Sequence, residues 1–443
     1  MSANATDRFE LVAGKLVYGG AALGHYAGRP VLVPYALPGE RVEAGTVRVA
    51  KGMVHARLLK VIEPAPERVA APCPYFARCG GCRYQHLDAA RQAEVKRNIL
   101  RETLSRVGHI DWPGEIATHT ADPWGYRNQV RLKIGADGQI GFFAADSHDL
   151  VTVDVCPISS PRLNTLIREL ARADWATKLQ GWSEVELRTD DRDENVALTF
   201  FGTDSHEPTI ERLAQQCMKS LPGVAGAAFG ITAEPTARGP LHGRARRRSS
   251  EIRVFGNAAL RYRVGEFDYR VSPGAFFQAS RFLLPEFVTA VTSDLAQASG
   301  LAIDLYAGVG LFSLPLARIF REVAGVEASD AAAADLAANL RSQAPNYARA
   351  VHSSAAEFLR RYAQPAPDLV VLDPPRSGVE PETLRRLTAI APAQLRYVSC
   401  HPPTLARDLA LLLRHGYEIE RVDLFDLFPQ TFHMESVVRL RRT

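Results

Sequence analysis

The stretch AIDLYAGVGLFSLPLARIF, residues 302–320, joins a short apolar run to a turn with two glycines and then to a run with helical spacing. Strand-like and helical segments go on alternating after it, in the order REVAGVEAS (321–329), DAAAADLAANLRS (330–342), DLVVLDPPRSG (368–378) and LRYVSC (395–400). Alternation of this kind is typical of a doubly wound parallel sheet with helices on both faces. Ligands of such sheets bind at the carboxyl ends of the strands, so the residues that follow each strand are the candidates for function.

The first two strands of this sheet end in residues suited to an adenosine-type ligand. Asp304 closes the first strand, and Gly308 and Gly310 allow the backbone to turn tightly beside a bound molecule. The spacing lacks the third glycine of the G-x-G-x-x-G dinucleotide fingerprint. Glu327 ends the next strand, where a carboxylate can accept both hydroxyls of a ribose. Together these features predict a ligand with a ribose and no pyrophosphate, and S-adenosylmethionine is such a ligand.

Two later strands end in an acid and a thiol. Asp373 precedes two prolines, so a rigid turn holds it, and Cys400 follows the next strand in YVSCHPPTLARD, residues 397–408. We expect Asp373 and Cys400 to be neighbours at one lip of the sheet. Cys400 is then either a small buried hydrophobe or a nucleophile. Glu435 and His433 come just before a final β run, where the glutamate is either a surface residue or a base.

The chain before this sheet divides into two further parts. Short alternating strands with glycine and proline punctuation over residues 1–63 predict a small β-barrel. A proline-rich linker, EPAPERVAAP, and a helix with 3.6-residue spacing over residues 88–108 follow it. Strands and helices then mix, which predicts a central α+β domain over residues 64–270 and places the α/β domain at residues 271–443.

Composition and charge place few limits on the partner. Of the 443 residues, 46% are hydrophobic and 23% are charged, as in an ordinary globular protein, and the net charge is only +4. The start of the chain lacks the pattern of a secretory signal, and no apolar run has the roughly 20 residues of a membrane helix. We therefore expect a cytoplasmic protein without a membrane partner. The basic run GRARRRSS, residues 243–250, is suited either to phosphate contacts or to a solvated loop.

The ordered motifs of residues 270–443 resemble those of the RNA uracil-5-methyltransferase family. The matching segments are, in chain order, FFQ (276–278), DLYAGVG (304–310), GVE (325–327), DPPR (373–376), SCHPPTLARD (399–408) and FPQTFHME (428–435). The N-terminal barrel resembles an RNA-binding TRAM domain, so the likeness covers nearly the whole chain. Ser280, Leu311 and His401 depart from the family pattern, in which asparagine is usual or common at these positions.

The resemblance implies a covalent methylation of RNA. Cys400 would add to carbon 6 of a uracil, carbon 5 would then take the methyl group of S-adenosylmethionine, and Glu435 would remove the proton from carbon 5. The residues implied in binding S-adenosylmethionine are Gln278, Tyr306, Glu327 and Asp373. The target uracil would have to leave its stack to reach the thiol. The RNA is expected to be 23S rRNA or, alternatively, a tRNA, and the enzyme is expected to be a monomer.

Four cysteines outside the α/β domain resemble the [4Fe-4S] ligands of the 23S rRNA uracil-5-methyltransferases. Cys73, Cys79 and Cys82 cluster in CPYFARCGGC, and Cys156 stands apart in VDVCPI. Disulfides are rare in a reducing compartment. Zinc is the alternative to iron, but structural zinc usually has two paired C-x₂₋₄-C knuckles, whereas the spacing here is C-x₅-C-x₂-C with one distant partner. The pattern therefore favours an iron–sulfur cluster, with either a structural or a redox role.

Three other functions share some of these motifs. RNA cytosine-5-methyltransferases also use a strand-end cysteine, but typically carry a second cysteine beside the proline of the motif that reads DPPR in this chain. Amino-directed methyltransferases also use D-P-P, but an aromatic residue typically follows, where this chain has Arg376. A non-catalytic RNA-binding protein with a redox-sensing cluster would not need the thiol, the base and the cofactor residues together.

Overall fold

The computed structural model describes residues 8–202, 207–231, 251–295 and 300–443. The basic run 243–250 lies outside these described residues. Within them the chain forms a small barrel, a central sheet with a separate hairpin, and a C-terminal sheet flanked by helices. None of the described helices is both long enough and apolar enough to span a membrane.

Five N-terminal strands close into a barrel, as the alternation of apolar and polar residues predicts. In chain order they are β1 (Arg8–Leu16), β2 (Ala21–Tyr26), β3 (Arg29–Pro34), β4 (Arg41–Ala50) and β5 (Met53–Glu63). They pair in the order β1-β2-β3-β5-β4. Because successive side chains of a strand point to opposite faces, every second residue enters the barrel core, and Leu11, Val31 and Val42 are buried there.

A long helix and a short strand connect the barrel to the rest of the chain. Helix α1 (Ala89–Gly108) begins where the Asp88 side chain accepts a hydrogen bond from the Ala90 N–H, and it ends at His109 in the left-handed conformation. This confirms the helix expected at residues 88–108. Strand β6 (Ile116–His119) then joins the edge of the C-terminal sheet rather than the central one.

The central part of the chain forms a seven-stranded sheet in the order β13-β12-β11-β10-β7-β8-β9. Its strands are β7 (Gln129–Ile134), β8 (Ile140–Phe143), β9 (Leu150–Thr152), β10 (Trp182–Thr189), β11 (Val196–Gly202), β12 (Val224–Ile231) and β13 (Glu251–Gly256). Its helices are α2 (Pro161–Leu170), α3 (Ala173–Leu179) and α4 (Glu207–Ser220), which share a hydrophobic core with it. The hairpin of β14 (Leu260–Val264) and β15 (Phe267–Val271) leads on to the C-terminal sheet.

The C-terminal sheet has eight strands in the order β18-β17-β16-β19-β20-β22-β21-β6. Its further strands are β16 (Leu301–Leu305), β17 (Glu322–Glu327), β18 (Ala348–His352), β19 (Leu369–Leu372), β20 (Gln394–Ser399), β21 (Tyr417–Phe425) and β22 (Glu435–Arg442). Its helices are α5 (Leu284–Thr292), α6 (Ser313–Leu316), α7 (Asp330–Gln343), α8 (Ala355–Arg361), α9 (Pro381–Ile390) and α10 (Pro402–Arg414). Helix α10 also packs against α1.

Five neighbouring strands of this sheet, in the order β18-β17-β16-β19-β20, run parallel. Strand β22 runs antiparallel to both of its neighbours. Strand β19 is buried along its whole length, as its unbroken apolar run requires of a strand covered on both faces. The strand order reverses between β16 and β19, which is the point where ligands bind in sheets of this kind. The doubly wound sheet expected from the sequence is therefore confirmed.

Candidate active site

The carboxyl ends of neighbouring strands bring the candidate residues to one edge of the C-terminal sheet. Tyr306 follows β16, Glu327 ends β17, Asp373 follows β19 and Cys400 follows β20. Glu435 reaches the same edge as the first residue of the antiparallel strand β22. Residues that are far apart in the sequence therefore face one another because of the strand order.

Glu327 is fixed by backbone amides of the turns around it. Its Oε2 accepts a hydrogen bond from the Gly308 N–H at 2.9 Å, and its Oε1 accepts from the Ala328 N–H at 2.9 Å and the Ser329 N–H at 2.7 Å. An ionised carboxylate has about four acceptor positions, so about one stays open for a ribose hydroxyl. Tyr306, in the same turn as Gly308, has a left-handed φ of 63°, a strained conformation of the kind found at functional sites.

Gln278 is buried in the loop between β15 and α5. Its backbone carbonyl accepts a hydrogen bond from Asn128 Nδ2 at 3.2 Å. Strand β15, which leads into this loop, contacts the end of the glycine turn, because the Tyr269 hydroxyl donates to the Leu311 carbonyl at 3.0 Å. The Tyr269 ring in turn lies 6.0 Å from that of Phe277 in the loop. The segment that carries Gln278 therefore packs beside the turn that follows β16.

Buried carboxyl groups at this edge oppose one another's ionisation. Burial raises the pKa of Asp304 to about 7, with contributions from the charges of Asp373 and Glu327, although the Ser313 hydroxyl donates to it at 2.6 Å. Burial also raises the pKa of Asp373 to about 7, and Glu327 adds to the shift. Cations stabilise such a group of acids in its ionised form. The sulfonium and amino groups of S-adenosylmethionine are cations at neutral pH, so this edge suits that ligand.

Cys400 is half-buried and its thiol lies among charged groups. Burial, together with the nearby carboxylates of Glu435 and Asp373, raises the pKa of the thiol to about 12, although the Arg376 guanidinium opposes the shift. Only a thiolate is nucleophilic, so the free protein holds Cys400 as a poorly reactive thiol at neutral pH. A nucleophilic role therefore needs a proton acceptor, and the neighbouring carboxylates supply one.

Glu435 is only 5% exposed and lies beside Cys400. The two are close because Ser399 pairs with Ser436 in the antiparallel ladder of β20 and β22, and the thiol and the carboxylate occupy the next positions along the two strands. Burial and the charge of Asp373 raise the pKa of Glu435 well above its ordinary value. A carboxylate with a raised pKa is a stronger base, as proton removal from carbon requires.

His401, one of the departures from the family pattern, caps the helix that follows the thiol. Its backbone N–H donates to Ser399 Oγ at 3.1 Å, and its ring Nδ1 accepts from the Thr404 backbone N–H at 3.4 Å at the start of α10. Asparagine is a favoured residue at such a cap, so histidine performs the same local role here. The prolines that follow occupy the first helical turn, where a missing N–H breaks no hydrogen bond.

The other two departures are buried in the walls around the cofactor side of the site. Ser280 is 2% exposed, and its backbone bridges to that of Arg127. Leu311 packs its side chain into the apolar core, and only its carbonyl makes a polar contact there. Neither side chain lies at the edge where the thiol and the base meet.

Two residues without a role in the sequence-based site also reach this edge. Arg376 Nη2 lies 3.3 Å from His433 Nδ1, and its charge acts on both Cys400 and Glu435. The DPPR motif could have indicated Arg376, since a cation suits a site that holds a thiol and the two carboxyl groups of Asp373 and Glu435. Tyr18 comes from the barrel, and its hydroxyl lies 3.5 Å from the Cys400 carbonyl oxygen. No sequence signal pointed to Tyr18, because the two residues are 382 positions apart.

The loop before Glu435 is held by buried polar groups of α1. Gln92 Nε2 donates to Gln430 Oε1 at 3.0 Å, and the Gln430 N–H donates back to Gln92 Oε1 at 2.7 Å. One turn further along the helix, Lys96 forms a buried ion pair with Asp426 at 2.6 Å. Gln430 has a left-handed φ of 67°. These contacts fix the path of the loop that leads to Glu435.

Four of the cysteines outside the C-terminal sheet line one small cavity. Cys73, Cys79, Cys82 and Cys156 surround a volume of about 60 Å³, roughly the room of four to six water-sized spheres. The Gly81 N–H donates to Cys79 Sγ at 3.4 Å. Within the described ranges, no three His, Cys, Asp or Glu side chains are arranged to hold a single metal ion. The sulfur atoms are thus gathered around a space rather than around one point.

The wall of this cavity also carries a cation. Arg127 lines the cavity, and its Nε atom is buried with no hydrogen-bond partner among the described residues. An unsatisfied buried donor is uncommon and costs about 1–3 kcal/mol. An iron–sulfur cluster with four thiolate ligands carries net negative charge, and its sulfur atoms accept hydrogen bonds. The cysteines and the arginine therefore fit such a group.

A strand-end carboxylate with room for a ribose hydroxyl, an edge that favours cations, and a thiol beside a buried carboxyl group would suit a methyltransferase that works through a covalent adduct. Known proteins agree with this class. A family model described as tRNA (Uracil-5-)-methyltransferase matches residues 241–443. A protein described as an uncharacterized RNA methyltransferase of Aquifex aeolicus is 32% identical, over 97% of this chain and 98% of its own length. One from Gloeobacter violaceus is 33% identical, with coverages of 94% and 92%.

A solved structure shares the fold over nearly the whole chain. The tRNA (uracil-54, C5)-methyltransferase of Pyrococcus abyssi, in complex with S-adenosyl-L-homocysteine, superimposes with a TM-score of 0.75 at 24% sequence identity. The match covers 98% of this chain and 100% of that one. This chain belongs to the RNA uracil-5-methyltransferase family and is an S-adenosylmethionine-dependent RNA methyltransferase.

Proposed function

We propose that the protein transfers a methyl group from S-adenosylmethionine to carbon 5 of a uridine in 23S rRNA, through a covalent adduct with Cys400. The observation that carries the proposal is the position of Cys400 beside Glu435, with Asp373 and Arg376 near the thiol. Carbon 5 of uracil is too weak a nucleophile to attack a methyl sulfonium directly. Addition of a thiolate to carbon 6 turns the ring into an enolate-like species whose carbon 5 can attack.

The proposed reaction uses a base at two points. A neighbouring ionised carboxylate first accepts the Cys400 proton, and the charge of Arg376 favours the thiolate. Carbon 5 then attacks the methyl carbon, S-adenosylhomocysteine leaves, and carbon 5 carries both the methyl group and a proton. Glu435 takes that proton, the electron pair restores the double bond between carbons 5 and 6, and the thiolate departs. General-base catalysis of this kind typically contributes about 10²–10⁴-fold.

The proposed cofactor residues are Gln278, Tyr306, Glu327 and Asp373. The free acceptor position of Glu327 supports a contact with the ribose. The raised pKa of Asp373 supports a position of this carboxyl group beside the cationic part of the cofactor, because a cation would stabilise the ionised form of Asp373. The turn after β16, with Tyr306 in a left-handed conformation, supports a close approach of the backbone to the ligand.

In the proposed complex the N-terminal barrel acts as a TRAM domain that binds RNA, and the target uridine is flipped out of its stack to meet the thiol. Cys73, Cys79, Cys82 and Cys156 would hold a [4Fe-4S] cluster. When bound, the cluster would tie the segment that starts at Cys73 to the strand end near Cys156. The enzyme is proposed to act as a cytoplasmic monomer.

The combination of barrel and cysteine cavity supports 23S rRNA as the substrate, because the ribosomal members of the family share these features. A tRNA is the second candidate, since the Pyrococcus abyssi structure with the same fold is named for a tRNA. An RNA cytosine-5-methyltransferase is less well supported, since only prolines follow Asp373 before Arg376.

The test uses RNA from a strain in which the gene is deleted. Purified protein is incubated with methyl-labelled S-adenosylmethionine and either 23S rRNA or bulk tRNA, and the labelled nucleoside is identified by mass spectrometry. Labelled 5-methyluridine in 23S rRNA is the expected result. Label in tRNA alone would identify tRNA as the substrate instead. Labelled 5-methylcytidine, or no label in either RNA, would overturn the assignment of uracil.

A further inference from the structure

The turn between β1 and β2 of the barrel reaches the proposed methylation site. It is a tight turn, closed by a hydrogen bond from the Gly20 N–H to the Val17 carbonyl at 3.0 Å. Gly20, the last residue of the turn, is closely packed against other segments. A Cβ atom added to Gly20 would lie only 2.9 Å from Arg83 Cβ and 3.4 Å from Phe432 Cβ. Arg83 follows the cysteine-rich segment, and Phe432 belongs to the loop before Glu435. The barrel therefore meets the site at a position that only glycine fits.

Tyr18 is the residue by which this turn contacts the segments of the proposed nucleophile and base. Its ring meets the His401 ring edge to face, with centroids 5.2 Å apart, and meets the Phe432 ring in the same manner at 5.5 Å. Its hydroxyl lies 3.5 Å from the Cys400 carbonyl oxygen, which is a long and weak hydrogen bond. The packing of the ring is thus the main contact.

We propose that Tyr18 is a positioning residue for the methyl transfer: its ring, packed on His401 and Phe432, holds the Cys400 turn, so the site is complete only when the barrel is seated. The proposal rests on the function proposed above. An RNA bound to the barrel would then be held at a fixed distance from the thiol. Because a displacement of about 1 Å can lower a rate by about 10²-fold, a contact of this kind affects the chemical step.

The test compares two Tyr18 variants with a control tyrosine outside the barrel. Tyr18→Ala should lower kcat at saturating RNA and S-adenosylmethionine by roughly 10- to 100-fold, with little change in KM. Tyr18→Phe keeps the ring and should stay close to the wild-type kcat. Tyr347→Ala removes an exposed tyrosine between α7 and β18, outside the barrel, and it should leave kcat unchanged.

Hydrogen exchange in the RNA-free protein gives a readout that does not depend on methylation. The backbone amides of residues 399–401 and 404–405 should exchange faster in Tyr18→Ala than in wild type, and at the wild-type rate in Tyr18→Phe and Tyr347→Ala. If the wild-type protein methylates no RNA, the proposed function fails, but the exchange comparison still decides whether Tyr18 holds the turn.

Several outcomes would overturn the proposal. These are a Tyr18→Ala variant with wild-type kcat and exchange, a loss confined to KM, and an equal loss of kcat in Tyr18→Phe, which would assign the effect to the hydroxyl. If Tyr18→Ala does not fold, Gly20→Ala provides a second route. It displaces the turn without changing Tyr18 and should also lower kcat and speed exchange, whereas wild-type values for both would contradict the proposal.

Discussion

Cys400 and Glu435 occupy adjacent positions where the parallel part of the C-terminal sheet meets its antiparallel end. Ser399 and Ser436 pair directly, so Cys400, the residue after β20, lies level with Glu435, the first residue of β22. A parallel strand in the place of β22 would need another crossover connection and would reach this edge with its last residue. The antiparallel β22 instead has its first residue, Glu435, at this edge. The loop that precedes Glu435 therefore lies at the edge as well, where other parts of the chain can contact it.

We predict that Cys400→Ala abolishes methyl transfer and leaves the affinity for S-adenosylmethionine nearly unchanged. In the proposed reaction the thiol acts on the uracil ring, whereas the proposed cofactor residues lie at the ends of β16, β17 and β19 and, for Gln278, in the loop before α5. Transfer of a labelled methyl group and calorimetric titration measure the two effects. Cys217→Ala is the matched control, because Cys217 is fully buried in α4, in the core of the central sheet. Normal turnover by Cys400→Ala would exclude the covalent route.

Glu435→Gln should trap the enzyme on its RNA. The amide can neither accept the proton from carbon 5 nor release the thiolate, because the elimination requires a base. Thiol addition and methyl transfer would still occur, and a protein–RNA band that survives denaturation and disappears with RNase should accumulate. The double variant Cys400→Ala, Glu435→Gln should show no such band. A folded Glu435→Gln protein that turns over normally would give Glu435 a purely structural role.

The thiol of Cys400 should react slowly with iodoacetamide, at a rate that keeps rising with pH. With its pKa raised to about 12, mainly by burial, the thiolate fraction should rise with pH throughout pH 7 to 10, by about tenfold per unit. An ordinary thiol with a pKa near 8.5 levels off within this range by about pH 9 to 10. Mass spectrometry of the alkylated peptide without RNA measures the rate. A plateau near pH 9 would contradict the effect of burial.

Two substitutions should shift this alkylation rate in opposite directions. Glu435→Gln removes a nearby negative charge that raises the pKa of Cys400, so alkylation at pH 9 should be faster than in wild type. Arg376→Gln removes the cation that lowers this pKa, so alkylation should be slower. Shifts of equal sign would show that packing rather than charge controls the thiol.

Cys79→Ser should remove the brown absorbance of protein purified without oxygen. It should also make the segment from Cys73 to Cys156 more sensitive to protease, because one cluster would tie both ends together. Iron and sulfide analysis measures the first effect and limited proteolysis the second. Cys217→Ser changes a cysteine outside the cavity and should keep both iron and protection. Stoichiometric zinc without iron in the wild-type protein would contradict the cluster.

The strand-end residues of the site could be predicted from sequence because each stands directly after an apolar run. Glu327 and Cys400 are examples, since the strand pattern alone fixes which edge they reach. The contacts that support the site had no such local signal. Tyr18 lies in a turn of the barrel, and β6 joins a sheet whose other strands begin nearly two hundred residues later. Pairings of this kind depend on how the units pack, and no periodicity of the chain records them.

The contact between Gln92 and Gln430 allows a test of whether helix α1 positions the loop that carries Glu435. Gln92→Leu keeps the side-chain volume but leaves the buried N–H and side chain of Gln430 without these partners. Each of these two unsatisfied buried groups costs about 1–3 kcal/mol, so the free energy of unfolding should fall by about 2–6 kcal/mol. Urea unfolding measures this change. The value of kcat should fall as well, because the loop runs directly to Glu435.

Thr103→Ala is the matched control on the same helix, since the Thr103 hydroxyl donates only to the Ile99 carbonyl within α1. It should lower stability by no more than about 1 kcal/mol and leave kcat unchanged. In Gln92→Leu the affinity for S-adenosylmethionine should stay at the wild-type value, because Glu327 and its neighbours lie on other strands. A Gln92→Leu protein that loses stability but keeps its full kcat would show that the loop needs no help from α1 to place Glu435. A loss of kcat at a temperature where the variant is fully folded would show that buried hydrogen bonds of α1 position the base.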